Sequence, residues 1–157
     1  MGKIIICYFS KTGNVKEMAT ILKNRLKENG MSVTMKHVSE INVEELLHYD
    51  CILVGTPTYY GSMAGEVKSF LDKTVRLHGE LEGKIGGAFT SCAYWGGGHD
   101  FALMDIIKVF LVHGMIIKGF TRESYFGVVS NGPPDENTKQ KIYKYADGVS
   151  ELVKRLS

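Results

Sequence analysis

At 157 residues the chain has the length of one domain, spanning residues 1–157, able to bury about two-thirds of its unfolded surface. Its 19 Lys and Arg against 17 Asp and Glu leave a formal charge of +2 with no basic stripe, which excludes nucleic acid as a partner, and no apolar run approaches the ~18 residues of a membrane span. Cys7, Cys51 and Cys92, odd in number and without C-x-x-C spacing, exclude a disulfide frame or a zinc site, and a first strand that begins at Lys3 leaves no room for a cleavable leader, so the cytoplasm is the expected compartment.

Lys3-Ile4-Ile5-Ile6-Cys7-Tyr8-Phe9 is an apolar run of strand length that leads through Ser10-Lys11-Thr12-Gly13-Asn14-Val15 into a helix. There Val15, Met18, Ala19, Leu22 and Leu26 recur at helical spacing and Asn29-Gly30 supplies a stop, which predicts a helix over Asn14–Glu28. Ser32–Val38 alternates Val33, Met35 and His37 with polar neighbours, the pattern of a strand near a sheet edge. After a short helical turn over Val43–Leu47 comes Cys51-Ile52-Leu53-Val54-Gly55, apolar throughout, as in a parallel strand covered on both faces. It ends abruptly in Thr56-Pro57-Thr58-Tyr59-Tyr60-Gly61-Ser62-Met63, and Val67, Phe70, Leu71 and Val75 then mark a helix over Ala64–Leu77. Gly79–Lys84 turns the chain into a fourth strand through Gly86-Gly87-Ala88-Phe89-Thr90. Its exit, Ser91-Cys92-Ala93-Tyr94-Trp95-Gly96-Gly97-Gly98-His99, opens a helix over Asp100–His113 whose wide apolar face predicts deep burial or a subunit contact. Met115–Ile117 begins a fifth strand that continues to Val129. Asn131-Gly132-Pro133-Pro134-Asp135 breaks the chain, Asp135 is placed to cap, and a last amphipathic helix carries Ile142, Tyr145, Val149, Leu152, Val153 and Leu156.

Strand followed by helix, repeated along the chain, predicts the α/β class: a three-layer α/β/α sandwich around a five-stranded parallel sheet with right-handed crossovers, in the order 2-1-3-4-5 that this length favours. Ligands of such sheets bind beyond the carboxyl ends of the strands, so three exit loops would converge on one composite pocket. The first loop lacks both G-x-G-x-x-G and the Walker pattern. It offers instead the hydroxyls of Ser10 and Thr12, Asn14, a turn at Gly13 and free N–H groups at a helix N-terminus, a nest for a terminal phosphate, with Lys11 expected to point to water. Tyr59, Tyr60, Tyr94 and Trp95 border the same edge and can stack on a flat heteroaromatic ring, while Gly96, Gly97 and Gly98 would let backbone N–H groups approach the ring's pyrimidine edge. A phosphate nest with aromatic walls describes flavin mononucleotide, FMN. Cys7 and Cys51 read as small core residues, and Cys92, in the pocket loop, either as a small residue or as an oxidisable thiol.

Ser10-Lys11-Thr12-Gly13-Asn14 resembles the phosphate loop of flavodoxins, and Gly55-Thr56-Pro57-Thr58-Tyr59-Tyr60-Gly61-Ser62-Met63 with Phe70-Leu71-Asp72 is similar to a segment of the WrbA-type NAD(P)H:quinone oxidoreductases. Gly96-Gly97-Gly98 and His113-Gly114-Met115 fall where that family carries G-G-G and H-G-M. The resemblance spans most of the chain and keeps motif order. It implies the flavodoxin-like fold, phosphate contacts from Ser10, Lys11, Thr12, Gly13, Asn14 and Val15, isoalloxazine contacts from Thr58, Tyr59 and Tyr60, and pyrimidine-edge contacts from Ala93 through Gly98, with Pro57, Gly61, Ser91 and Cys92 among the cofactor-binding residues. It also implies a place for His113 near the flavin or an adjoining subunit's site, the one side chain that could act catalytically where flavin N5 does the chemistry. The chain is shorter than the oxidoreductases in segments that build their tetramer, so a monomer or homodimer is expected.

Three functions remain open on the sequence. One is an FMN enzyme taking hydride from NAD(P)H and passing electrons to a quinone-like acceptor. Another is a one-electron carrier between redox partner proteins, in which the Gly61 peptide would turn its carbonyl toward flavin N5; the last is a flavin-free interaction module. The slightly basic charge favours the enzyme, because typical flavodoxins are acidic and dock basic partners.

Overall fold

Ile4, Ile5, Ile6 and Cys7 have no polar side to offer water, and in the computed structural model, which describes residues 1–157, they form the middle of β1 (Lys3–Tyr8) and are completely buried. Such a strand needs cover on both faces and a partner on both edges. The edges are supplied by β2 (Ser32–His37) and β3 (Cys51–Tyr59), both parallel to β1, with Ile4 opposite Val33 on one side and Cys51 on the other. β5 (Ile85–Cys92) lies parallel beyond β3, from Cys51 opposite Ile85 to Pro57 opposite Ser91. β2, whose residues are half-exposed or exposed, is the edge strand that its alternation predicts.

The fifth sheet position is divided. β6 (Ile116–Ile117) pairs with Ile85 and Gly86, and β7 (Val128–Asn131) pairs with Phe89 to Cys92, both parallel to β5. Residues 118–127 leave the sheet between the two pieces. The expected strand order therefore holds as five positions, and counted along the chain it reads β2-β1-β3-β5-β6. One element was not expected: β4 (Ser62–Met63) folds back antiparallel on the end of β3, with Tyr59 opposite Ser62.

Alternation along the strands sorts the core into two halves. Ile5, Cys7, Ile52 and Val54 pack under α2 (Gly65–Lys73) and α3 (His99–Val112), with Val67, Phe70, Leu103, Ile106 and Phe110. Ile4, Ile6, Cys51 and Leu53 pack under α1 (Asn14–Glu28) and α4 (Glu136–Leu156), with Met18, Leu22, Tyr145 and Val149. On the outside, Arg25 of α1 grips Asp147 of α4 through both Nε at 2.8 Å and Nη2 at 3.0 Å, and this holds the Asp147 carboxyl below its ordinary pKa. Asp135 caps α4, its carboxylate accepting the Thr138 N–H at 2.8 Å. The helix expected over Ala64–Leu77 is α-helical only to Lys73 and tightens into a 3-10 turn over Thr74–Leu77. There the Thr74 hydroxyl donates to the Leu71 carbonyl at 2.6 Å, competing with the backbone ladder. The turn expected over Val43–Leu47 is a 3-10 segment, Val43–His48. No helix is long and apolar enough to cross a membrane.

Close packing reaches its limit at Gly55, where a Cβ would enter the Phe89 ring of the neighbouring strand. Gly55→Ala is expected to destabilise the fold by about 1–3 kcal/mol, the usual cost of overpacking, measured by urea unfolding against the wild-type chain. A stability equal to wild type would show that Phe89 can move aside.

Candidate functional site

β1, β3, β5 and β7 all run the same way, so their carboxyl ends share one edge of the sheet. There a cavity of about 370 Å³ is lined by Ser10, Lys11, Thr12, Asn14 and Val15 from the first exit loop, Pro57, Thr58 and Tyr59 from the second, and Ser91, Cys92 and Ala93 from the third. A twelfth lining residue, Gly132, comes from the tip of β7. Sequence reasoning passed over Gly132 as part of a chain break. The available signal was its place directly after the last parallel strand, where a fourth exit loop must emerge at the same edge.

The first loop is arranged around its N–H groups. The Ser10 hydroxyl oxygen accepts the Gly13 N–H at 3.1 Å, and the Gly13 carbonyl accepts the first helical bond from Glu17 at 2.9 Å. The N–H groups of Thr12, Asn14 and Val15 meet no acceptor in the chain. They open at the positive end of the α1 dipole, where no side chain caps the helix. Lys11 is exposed at the cavity mouth, on the wall as well as in water.

Proton bookkeeping decides what the second loop can offer. Thr90 has one hydroxyl proton, and it goes to the Thr56 carbonyl at 2.6 Å. The 2.8 Å contact between Thr90 and Thr58 is therefore donated by Thr58. With its own proton committed, Thr58 faces the cavity as an acceptor. Ser91 likewise donates to the Gly132 carbonyl at 2.8 Å, tying the third and fourth loops together, and the Gly132 N–H returns to the Cys92 carbonyl at 2.8 Å. Burial pushes the Cys92 thiol pKa up, as it does more strongly for Cys7 and Cys51 inside their strands.

The remaining candidate residues stand outside the cavity wall. Tyr60 and Gly61 make the two-residue turn between β3 and β4, at φ 50 and φ 69, the doubly positive geometry of a type I′ hairpin. Tyr60 is fully exposed there, Tyr94 is 79% exposed and Trp95 50%. Gly98, at φ 100, brings the third loop so near the second that a Cβ would overlap the Gly61 Cα. The glycines expected to approach a ring edge thus serve, at Gly98, to seat one loop on another. Gly96 and Gly97 form the turn before it, closed by a 2.9 Å bond from the Gly97 N–H to the Tyr94 carbonyl. Gly13 shapes the first loop without reaching the wall.

His113 stands apart from the cavity wall. It follows α3, which begins at the cavity edge with His99 and runs 14 residues, about 20 Å, toward the opposite edge. The helix direction thus separates His113 from the chain's own cavity. Its Nε2 lies 2.9 Å from the Thr74 hydroxyl oxygen, whose proton goes to Leu71, so Nε2 donates and the tautomer is set. Its Nδ1 is buried with no partner. Burial, and then the nearby His78, lower the imidazole pKa.

A family model described as a flavodoxin domain matches residues 5–93. The flavodoxin of Aquifex aeolicus is 33% identical over 162 residues, covering 98% of this chain and 88% of the relative. The NAD(P)H dehydrogenase (quinone) of Archaeoglobus fulgidus is 31% identical over 190 residues, covering 99% of this chain and all of the relative. The solved structure of the flavodoxin, WrbA-like protein from Agrobacterium tumefaciens superposes over the whole of both chains with a TM-score of 0.86 at 19% identity.

His113 leads to a pH dependence. An unfolded chain protonates this imidazole near pH 6.5 and the folded chain resists, so stability falls as the pH drops from about 6.5 toward the depressed folded value. His113→Gln, which can keep a donor toward Thr74, is expected to flatten that part of the profile, read by urea unfolding on both sides of that pH. A variant profile as steep as the wild type would assign the dependence elsewhere.

Proposed function

This chain belongs to the flavodoxin family, and from that membership and the cavity at its sheet edge we propose that it binds FMN and works as a redox protein. The observation that carries the reading is the cavity itself, with open N–H groups at one end and an acceptor hydroxyl beside an aromatic wall at the other. Its volume of about 370 Å³ is within the usual range for a small-molecule site. The residues fit the group. The N–H groups of Thr12, Asn14 and Val15, with the hydroxyls of Ser10 and Thr12, would hold the phosphate, helped by the α1 dipole. Thr58 would accept a hydrogen bond from the ring, Tyr59 would stack on it, and Pro57 with Ser91, Cys92 and Ala93 would line its edge.

Bound flavin supplies hydride acceptance at N5 and electron release in one or two steps. The chain's own residues bind, orient and shield it, and no acid or base is required of them. The donor in this reading is NAD(P)H and the acceptor a quinone-like molecule. The balanced charge supports it, as does likeness to a relative named NAD(P)H dehydrogenase (quinone). A second reading, a carrier of single electrons between proteins, is favoured by the Tyr60–Gly61 turn, which sets a glycine peptide at positive φ beside the site. Either protein would act as one domain in the cytoplasm, as a monomer or homodimer.

Purified protein titrated with FMN is expected to turn yellow and quench flavin fluorescence, and Thr12→Val to weaken binding about tenfold, the worth of one charge-assisted hydrogen bond. Under anaerobic conditions NADPH would bleach the complex directly. A persistent blue absorption on partial dithionite reduction, with no response to NADPH or NADH, would establish the carrier instead, and the absence of any FMN complex would end the redox reading.

A further inference from the structure

The segment 118–127 between β6 and β7 leaves the sheet, yet it is held in place. Phe120 is buried with its ring edge-on to Tyr145 at 5.6 Å, and its N–H closes the loop on the Tyr125 carbonyl at 3.0 Å. Glu123, at φ 29, occupies the left-handed region that a non-glycine residue keeps only when its surroundings hold it there. Lys141 of α4 reaches its carboxylate at 2.6 Å.

From the tip of this loop a chain of contacts runs to the third exit loop. Ser124 is 2% exposed, and its hydroxyl donates to Asp100 Oδ1 at 2.7 Å. The same oxygen lies 3.0 Å from His99 Nδ1, and because a carboxylate only accepts, Nδ1 carries the proton. The imidazole, 7% exposed, packs against Trp95 with ring centroids 4.7 Å apart and planes at 37°. Trp95 makes no hydrogen bond of its own, and it stands two residues beyond the cavity wall at Ala93.

We propose that the inserted loop positions Trp95 at the rim of the cavity through Ser124, Asp100 and His99, and thereby sets how tightly the site holds its cofactor. Ser124 and Asp100 are positioning residues. Neither lines the cavity, and both act through the Trp95 ring, which makes no hydrogen bond of its own. The consequence for cofactor affinity rests on the FMN reading; the linkage itself does not.

Trp95 is the only tryptophan, so the fluorescence of flavin-free protein reports on it alone. Ser124→Ala and Asp100→Ala are each expected to move its emission to longer wavelength and raise its quenching by acrylamide. The double variant should go no further than Asp100→Ala, because the two act in series. Asp72→Ala, on the far side of α2, should change nothing. With far-ultraviolet circular dichroism confirming that the variants fold, unchanged emission in both single variants overturns the proposal, and so does a double variant whose shift is additive. In a second arm Asp100→Ala is expected to weaken FMN binding about tenfold, and an unchanged affinity overturns the reach into the site. If the wild-type chain binds no FMN, the redox reading fails while the tryptophan arm still decides the linkage.

Discussion

Parallel pairing of β1, β3 and β5 is the constraint from which the rest follows. Parallel neighbours cannot be joined by tight hairpins, so each strand must be left by a loop and regained through a helix. That requirement places helices on both faces, buries Ile4, Ile5, Ile6, Cys51, Ile52, Leu53 and Val54 almost completely, and delivers the exits of β1, β3, β5 and β7 to a single edge. The cavity is a consequence of that convergence. Gly55, Gly86 and Gly87 mark how closely the strands and helices press, since a Cβ at each would meet Phe89, Phe110 and Tyr145 in turn.

At the edge, polar groups are mostly spent on one another. Thr90 serves Thr56 and is served by Thr58, Ser91 serves Gly132, and the Thr56 oxygen accepts the Ala64 N–H at 2.9 Å as the chain turns toward α2. These bonds keep the loops in register and leave a short set of free groups at the cavity: N–H donors with the Ser10 and Thr12 hydroxyls at the start of α1, and an acceptor hydroxyl at Thr58. Such a split, with donors at one end and an acceptor beside an aromatic at the other, orients an asymmetric ligand.

The near-neutral charge conceals an uneven distribution. α1 and α4 together carry nine Lys and Arg against five Asp and Glu, whereas residues 38–84 carry eight acids against four bases. One helical layer is therefore positive and the other side of the sheet negative. A field of that shape can orient a charged partner even when the net charge is small.

The local elements were legible in the sequence because the signals that make them are local. Helical spacing in Val15, Met18, Leu22 and Leu26 placed α1 at its observed bounds, and unbroken apolar runs marked β1 and β3 as covered on both faces. Parallel order followed from the alternation of strand and helix. Four features were decided by tertiary structure alone. The last strand divides because Phe120 and Ser124 find partners in Tyr145 and Asp100, residues 25 and 24 positions away. Gly132 joins the cavity because β7 runs beside β5, and His113 leaves it because α3 points from that edge to the other. Gly98 seats on Gly61 because two loops meet whose residues lie far apart in the chain. Periodicity and turn chemistry report what a residue does with its neighbours in sequence; convergence, direction and contact depend on how separate segments pack, and no local pattern carries that information.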